Sequence, residues 1–180
     1  GRTYASFWRT PLVSKSALQP KANLMSSFQI QSLDYAPFAH LFALSEEQLN
    51  EIGAERRIVN VNPGYPCRVS LIDAQLGEEI ILLNYEHHAL PSAYRASGPI
   101  FVRKDAAVKQ LAAGEIPDCV INRLISIRAY NSAHIMEAAN VCKGSVLSEE
   151  ITRQLENPRV AYLQLHNAKP GCFSCAVRRV

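Results

Sequence analysis

The run His166-Asn167-Ala168-Lys169-Pro170-Gly171-Cys172-Phe173-Ser174-Cys175 gathers one imidazole, one ammonium and two thiols around a Pro-Gly turn. A thiolate is the nucleophilic form of cysteine, and a neighbouring cation favours it. The expected chemistry is attack by Cys172 with His166, at the end of a predicted strand, transferring protons. Asn167 and Lys169 are the ligand contacts beside them. The competing reading makes both thiols small buried hydrophobes and leaves His166 to satisfy the turn. Cys-x-x-Cys also suits zinc or a redox pair, but structural zinc usually draws on four ligands and no second such pair exists. On a strand, residues three apart face opposite sides, which works against joint ligation. No metal ligands and no cofactor are assigned.

A second polar group, Asn84-Tyr85-Glu86-His87-His88, leaves the most apolar predicted strand. His87 is a ligand or proton-transfer candidate there; the alternative is a polar loop that satisfies its own backbone. Arginines beside aromatics form a third group: Arg68 after Tyr65, Arg95 after Tyr94, and Arg128 before Tyr130. Guanidinium suits bidentate binding of carboxylate or phosphate. Arg68 and Arg128 fall within predicted strands, where a buried charge needs a carboxylate, backbone carbonyls or an anionic ligand. Glu86, Asp73 and Glu137 are candidate internal partners. The chain contains no G-x-G-x-x-G, P-loop, G-x-S-x-G or H-E-x-x-H signature.

The elements that must position these residues are short. Strands are predicted at 27–33, 57–61, 67–71, 79–85, 100–103, 124–130, 135–141, 160–166 and 173–177. Ile80 to Leu83 is apolar on both faces, which places that strand centrally in a sheet. Ser45-Glu46-Glu47-Gln48 matches a capping box, with Gly53 as the stop of a helix over 46–52. Ser148 opens a second capped helix, Ala-rich 105–113 suits a third, and Pro117 could open one further turn. Residues 86–98 read as a loop, and 131–134 as the turn of a hairpin. About eight short strands with two or three short flanking helices, strand following strand, predict an α+β fold with a mainly antiparallel sheet.

The 180 residues carry a formal charge of +3. Residues 1–24 hold Arg2, Arg9, Lys15, Lys21 and no acid; the remainder has 15 basic and 16 acidic residues, a balance of −1. The body therefore lacks the basic stripe that tracks phosphates, so no nucleic-acid partner is expected. No apolar run reaches the roughly 18 residues that span a bilayer, so no membrane partner is expected either. Five cysteines at irregular spacing do not form a disulfide framework, and a reducing cytoplasm is the simplest location. Residues 1–24 read as an extension outside the domain: upstream sequence, a tag-like scar or a targeting segment. Regular patterning opens at Met25, so one domain is expected over 25–180.

Four blocks, NPGYPCRVSLIDAQLGEEIILLNYEHH, YRASGPIFVR, LISIRAYNSAHI and HNAKPGCFSCAVRR, occur in that order. Together they resemble the bacterial domain-of-unknown-function family 1203, over about residues 28–179. Phe38, Leu41 and Phe42 sit where that family has its PF…LF segment. The resemblance implies no reaction, cofactor or catalytic residue. Three function classes stand: a pocket for a small polar or anionic ligand, bound or processed by Cys172, His166, Arg68, His87, Tyr94, Arg95, Arg128, Asn167 and Lys169; a non-catalytic interaction domain; and a metal- or redox-active thiol domain. The sequence does not decide whether the chain is an enzyme, nor its oligomeric state.

Overall fold

The computed structural model describes residues 28–180. The expected extension over 1–24 and the expected domain start at Met25 lie outside that range. The described residues form eight strands in two antiparallel sheets. The larger sheet has the order β1 (Phe28–Gln31), β8 (Phe173–Arg179), β7 (Tyr162–Asn167), β5 (Leu124–Tyr130), β6 (Met136–Lys143). The smaller has the order β2 (Glu55–Ile58), β3 (Glu79–His88), β4 (Ala96–Arg103). The α+β class holds, and the strands divide between two layers. No described helix is long and apolar enough to cross a membrane.

Sequence pattern accounts for most elements. In β5, Ile125, Ile127 and Ala129 alternate inward and are fully buried. They pack with Leu163, Leu165, Val177 and the helix α3 (Leu147–Leu155) in one core. The apolar strand β3 lies centrally, as expected, between β2 and β4. Ile81, Ile100 and Val102 pack with Leu49 of α1 (Glu46–Glu51) in a second core. The capping box forms: the Gln48 amide donates to Ser45 Oγ, and the Ser45 amide donates to Gln48 Oε1. Gly53 follows with φ of 70°, the left-handed conformation glycine tolerates. The turn expected from Pro117 is α2 (Asp118–Ile121).

Four expectations are corrected. Cys67 to Leu71 is not a strand but a buried turn, closed by the Leu71 amide donating to the Cys67 carbonyl, with only isolated bridges around it. Its alternating apolar residues pack between the two sheets, so burial was met without a ladder. Residues 105–113 form no helix, because tertiary contacts take the backbone groups a helix would use. The Lys109 amide donates to the Val69 carbonyl, Gln29 Nε2 to the Leu111 carbonyl, and Tyr35 Oη accepts from the Asp105 amide, where φ is 52°. Context overrides Ala-rich propensity here. The expected loop at 86–98 is shorter, 89–95, since β3 runs through His88 and β4 starts at Ala96. Finally, α3 begins one residue before Ser148, whose hydroxyl makes no cap; Val146 is the cap position.

Candidate functional site

The two layers meet around the 64–68 loop, and a cavity of about 600 Å³ opens there. Leu82, Pro99 and Phe101 of the smaller sheet form one wall. Asn122, Arg123 and Leu124, at the passage from α2 into β5, form another. The β7–β8 turn closes the third side with Asn167, Lys169 and Cys172. That turn depends on Gly171, at φ of 81°, whose amide donates to the Asn167 carbonyl. The Asn167 amide in turn donates to the Cys172 carbonyl at 2.9 Å, which fixes these two side chains beside each other.

Arg68 is the unusual member. It is 2% exposed, yet no carboxylate pairs with it among the described residues. Its Nε donates to the Phe173 carbonyl at 2.7 Å, its Nη1 to the Pro66 carbonyl, and its Nη2 to Cys172 Sγ at 3.2 Å. Burial draws the guanidinium below its ordinary pKa, and the Cys172 sulfur is the largest effect opposing that shift. Asn167 Nδ2 lies 3.6 Å from the same sulfur, so two donors converge on it. Asn167 is itself only 6% exposed, and its Oδ1 has no hydrogen-bond partner. A buried carbonyl without a donor carries a desolvation cost that the fold leaves unmet at this wall.

Arg123 was not singled out by sequence reasoning. Its Nη1 and Nη2 reach the two carboxylate oxygens of Asp73 at 2.8 and 2.6 Å, a bidentate pair. No spacing announces it; Gly144, twenty-one residues on, packs against the α2 backbone that leads into it. A Cβ at 144 would stand 2.2 Å from the Val120 carbonyl oxygen, and the Gly144 amide donates to the Arg123 carbonyl.

The remaining candidates lie elsewhere. His166 and Asn167 are consecutive on β7 and point to opposite faces. His166 is fully buried, with Nδ1 3.1 Å from the Gly171 carbonyl and Nε2 3.3 Å from Gln164 Oε1. Burial, with Arg128 second, pushes its pKa down to about 3. Both its nitrogens thus pair with groups other than Cys172 Sγ, so the expected Cys172–His166 pair does not form, and among the described residues no histidine lines the cavity. His87 stacks on Phe173 at 5.5 Å and pairs through Nδ1 with Gln164 Oε1 at 3.0 Å. Burial lowers its pKa, opposed by the Gln164 contact and reinforced by Arg128. Arg128 reaches Ser126 Oγ on its own strand at 3.4 Å. Beyond these, the Tyr162 hydroxyl sits 2.9 Å from both His88 Nε2 and His134 Nδ1. Tyr94 lies against Tyr130, and Arg95 forms an exposed pair with Glu86.

The other thiols are set apart. Burial pushes Cys119 up to about 12 and Cys175 higher still, so both are held as thiols. Among the described residues no three His, Cys, Asp or Glu side chains stand together as a metal site.

Fold and cavity define a class: an α+β protein of two antiparallel sheets with a thiol at their junction, held by a buried guanidinium. The family model described as Protein of unknown function (DUF1203) matches residues 64–179, and the chain belongs to that family. The match spans every residue that lines the cavity. No curated protein and no solved structure matches the chain.

Proposed function

We propose that the cavity binds a small ligand with an apolar body and a polar or anionic head, and that Cys172 reacts with it as a thiolate paired with Arg68. The observation that carries this reading is the buried guanidinium without a carboxylate. An isolated buried charge is costly, and a charge-assisted hydrogen bond to an anion offsets that cost. The anions within reach are the Cys172 thiolate and the head group of a ligand. Lys169, exposed at the rim, offers the ligand a further positive charge. Leu82, Pro99, Phe101 and Leu124 receive its apolar part. A volume of this size suits a small molecule and not a macromolecular segment.

Alkylation tests the pairing. In the native full chain, Cys172 should react with iodoacetamide at neutral pH while Cys119 and Cys175 do not. Arg68→Met and Asn167→Asp should each slow Cys172 by about tenfold or more, a change of about 1.4 kcal/mol in barrier. The second variant sets a carboxylate against both the sulfur and the guanidinium, so it tests the pairing even if the first fails to fold. Unchanged rates in folded variants would remove the reading.

A further inference from the structure

We infer that the electrophile this thiolate meets is the peroxide oxygen of an apolar organic hydroperoxide. The inference rests on the thiolate reading above and adds the substrate class. Three observations select it. First, the cavity holds a thiol, a guanidinium and a carboxamide but, among the described residues, no histidine and no unpaired carboxylate. Acyl transfer to water needs a base to activate the water; cleavage of an O–O bond by a thiolate needs no activated water. Second, Arg68 Nη2 and Asn167 Nδ2 converge as donors on Cys172 Sγ at one corner of the cavity. That arrangement would hold the sulfur as a thiolate and set the peroxide oxygens beside it with no base in reach. Third, the walls beyond that polar corner are Leu82, Pro99, Phe101 and Leu124, which suit a hydrocarbon substituent and give hydrogen peroxide nothing to bury.

The step balances as follows. The Cys172 sulfur pair attacks the distal oxygen of R–O–O–H, an S–O bond forms and the O–O bond breaks. The leaving alkoxide, beside the Arg68 guanidinium, takes a proton from solvent water, matching the one that the thiol released on ionising, and departs as the alcohol R–OH. Sulfur is oxidised to the sulfenic acid and the peroxide is reduced. Because Cys119 and Cys175 are buried, the reductant is an external small thiol. One thiol condenses with the S–OH and releases water; a second attacks the mixed disulfide, releasing a symmetrical disulfide and restoring Cys172.

The experiment exposes the full chain to cumene hydroperoxide or hydrogen peroxide and follows intact mass, with dimedone to trap the sulfenic acid. Cys172 should gain one oxygen atom, and should do so about tenfold or more faster with cumene hydroperoxide, the scale of discrimination an apolar pocket achieves. Leu124→Glu, at a partly exposed wall position, should shrink that preference, and Asn167→Leu should slow both oxidants. Equal rates for the two peroxides, or no oxygen on Cys172, overturn the inference. If iodoacetamide labelling still depends on Arg68 in that case, the hydroperoxide assignment alone falls. If that dependence is absent, the thiolate reading falls and takes this inference with it.

Discussion

Two polar clusters flank β7, and they differ in whether a buried charge is left without a counterion. On one face His166, His87, Gln164 and Phe173 stack and hydrogen-bond among themselves. Further along the same layer contact, Tyr162 joins His88 to His134. Burial lowers the pKa of His166, His87 and His88, and the cluster has the higher density of titratable groups. On the other face Arg68, Asn167 and Cys172 are fewer, yet a charge there lacks a counter-carboxylate among the described residues. Each cluster keeps one buried atom without a partner, His88 Nδ1 in the first and Asn167 Oδ1 in the second. The lesson is that the unmatched buried charge, not polar crowding or a lone unpaired atom, singles out the candidate site. The histidine cluster glues two sheets together; the arginine–thiol corner is open.

Three experiments sharpen that contrast. The largest effect should come from pH. His166 has a folded pKa of about 3 against about 6.5 in an unfolded chain, so between those values only the unfolded chain binds the proton. Stability is therefore retained above about pH 6.5 and is lost as pH falls toward 3, at about 1.4 kcal/mol per pH unit. Urea unfolding should show a loss of about 3 kcal/mol between pH 7 and 4. His166→Asn, which keeps a donor for the Gly171 carbonyl, should flatten that slope, while Cys172 alkylation stays near the wild-type rate. A steep dependence of alkylation on this residue would merge the two clusters.

A smaller effect is expected at Tyr162. Tyr162→Phe deletes the hydroxyl shared by His88 and His134, and should cost about 1–3 kcal/mol in urea unfolding without changing Cys172 reactivity. The smallest belongs to Arg95. Its pair with Glu86 is solvent-exposed, and such pairs contribute little. Arg95→Ala should leave both the melting temperature and ligand-site reactivity unchanged within error, which would set the Tyr94-Arg95 segment outside both clusters.

Much of this was legible in the chain. Local rules wrote the capping box at Ser45, the hairpin around Asn131 to His134, and the Pro-Gly turn that delivers Cys172. The convergence of Arg68, Asn167, Lys169 and Cys172 was legible as a set of residue types, because polar groups beside rigid turns have few other uses. Their separation from His166 was implicit in strand alternation: neighbours on β7 cannot share a face. What stayed hidden depends on tertiary partners. Nothing local in CRVSL distinguishes a ladder from a turn that docks between layers. Nor does DAAVKQLAA reveal that Tyr35, Gln29 and Val69 would claim its backbone. The α2 turn that delivers Arg123 to the cavity wall packs against Gly144, an element far along the chain.

That last contact leaves no room for a side chain. The space beside Gly144 is filled by the Val120 and Ile121 carbonyls, at 2.2 and 2.6 Å from where a side chain would start. Any residue with a β-carbon there would press on the α2 backbone at Val120 and Ile121, the helix that leads into Arg123 on the cavity wall. A bare hydrogen at position 144 is therefore what lets the chain after β6 lie directly beneath that helix.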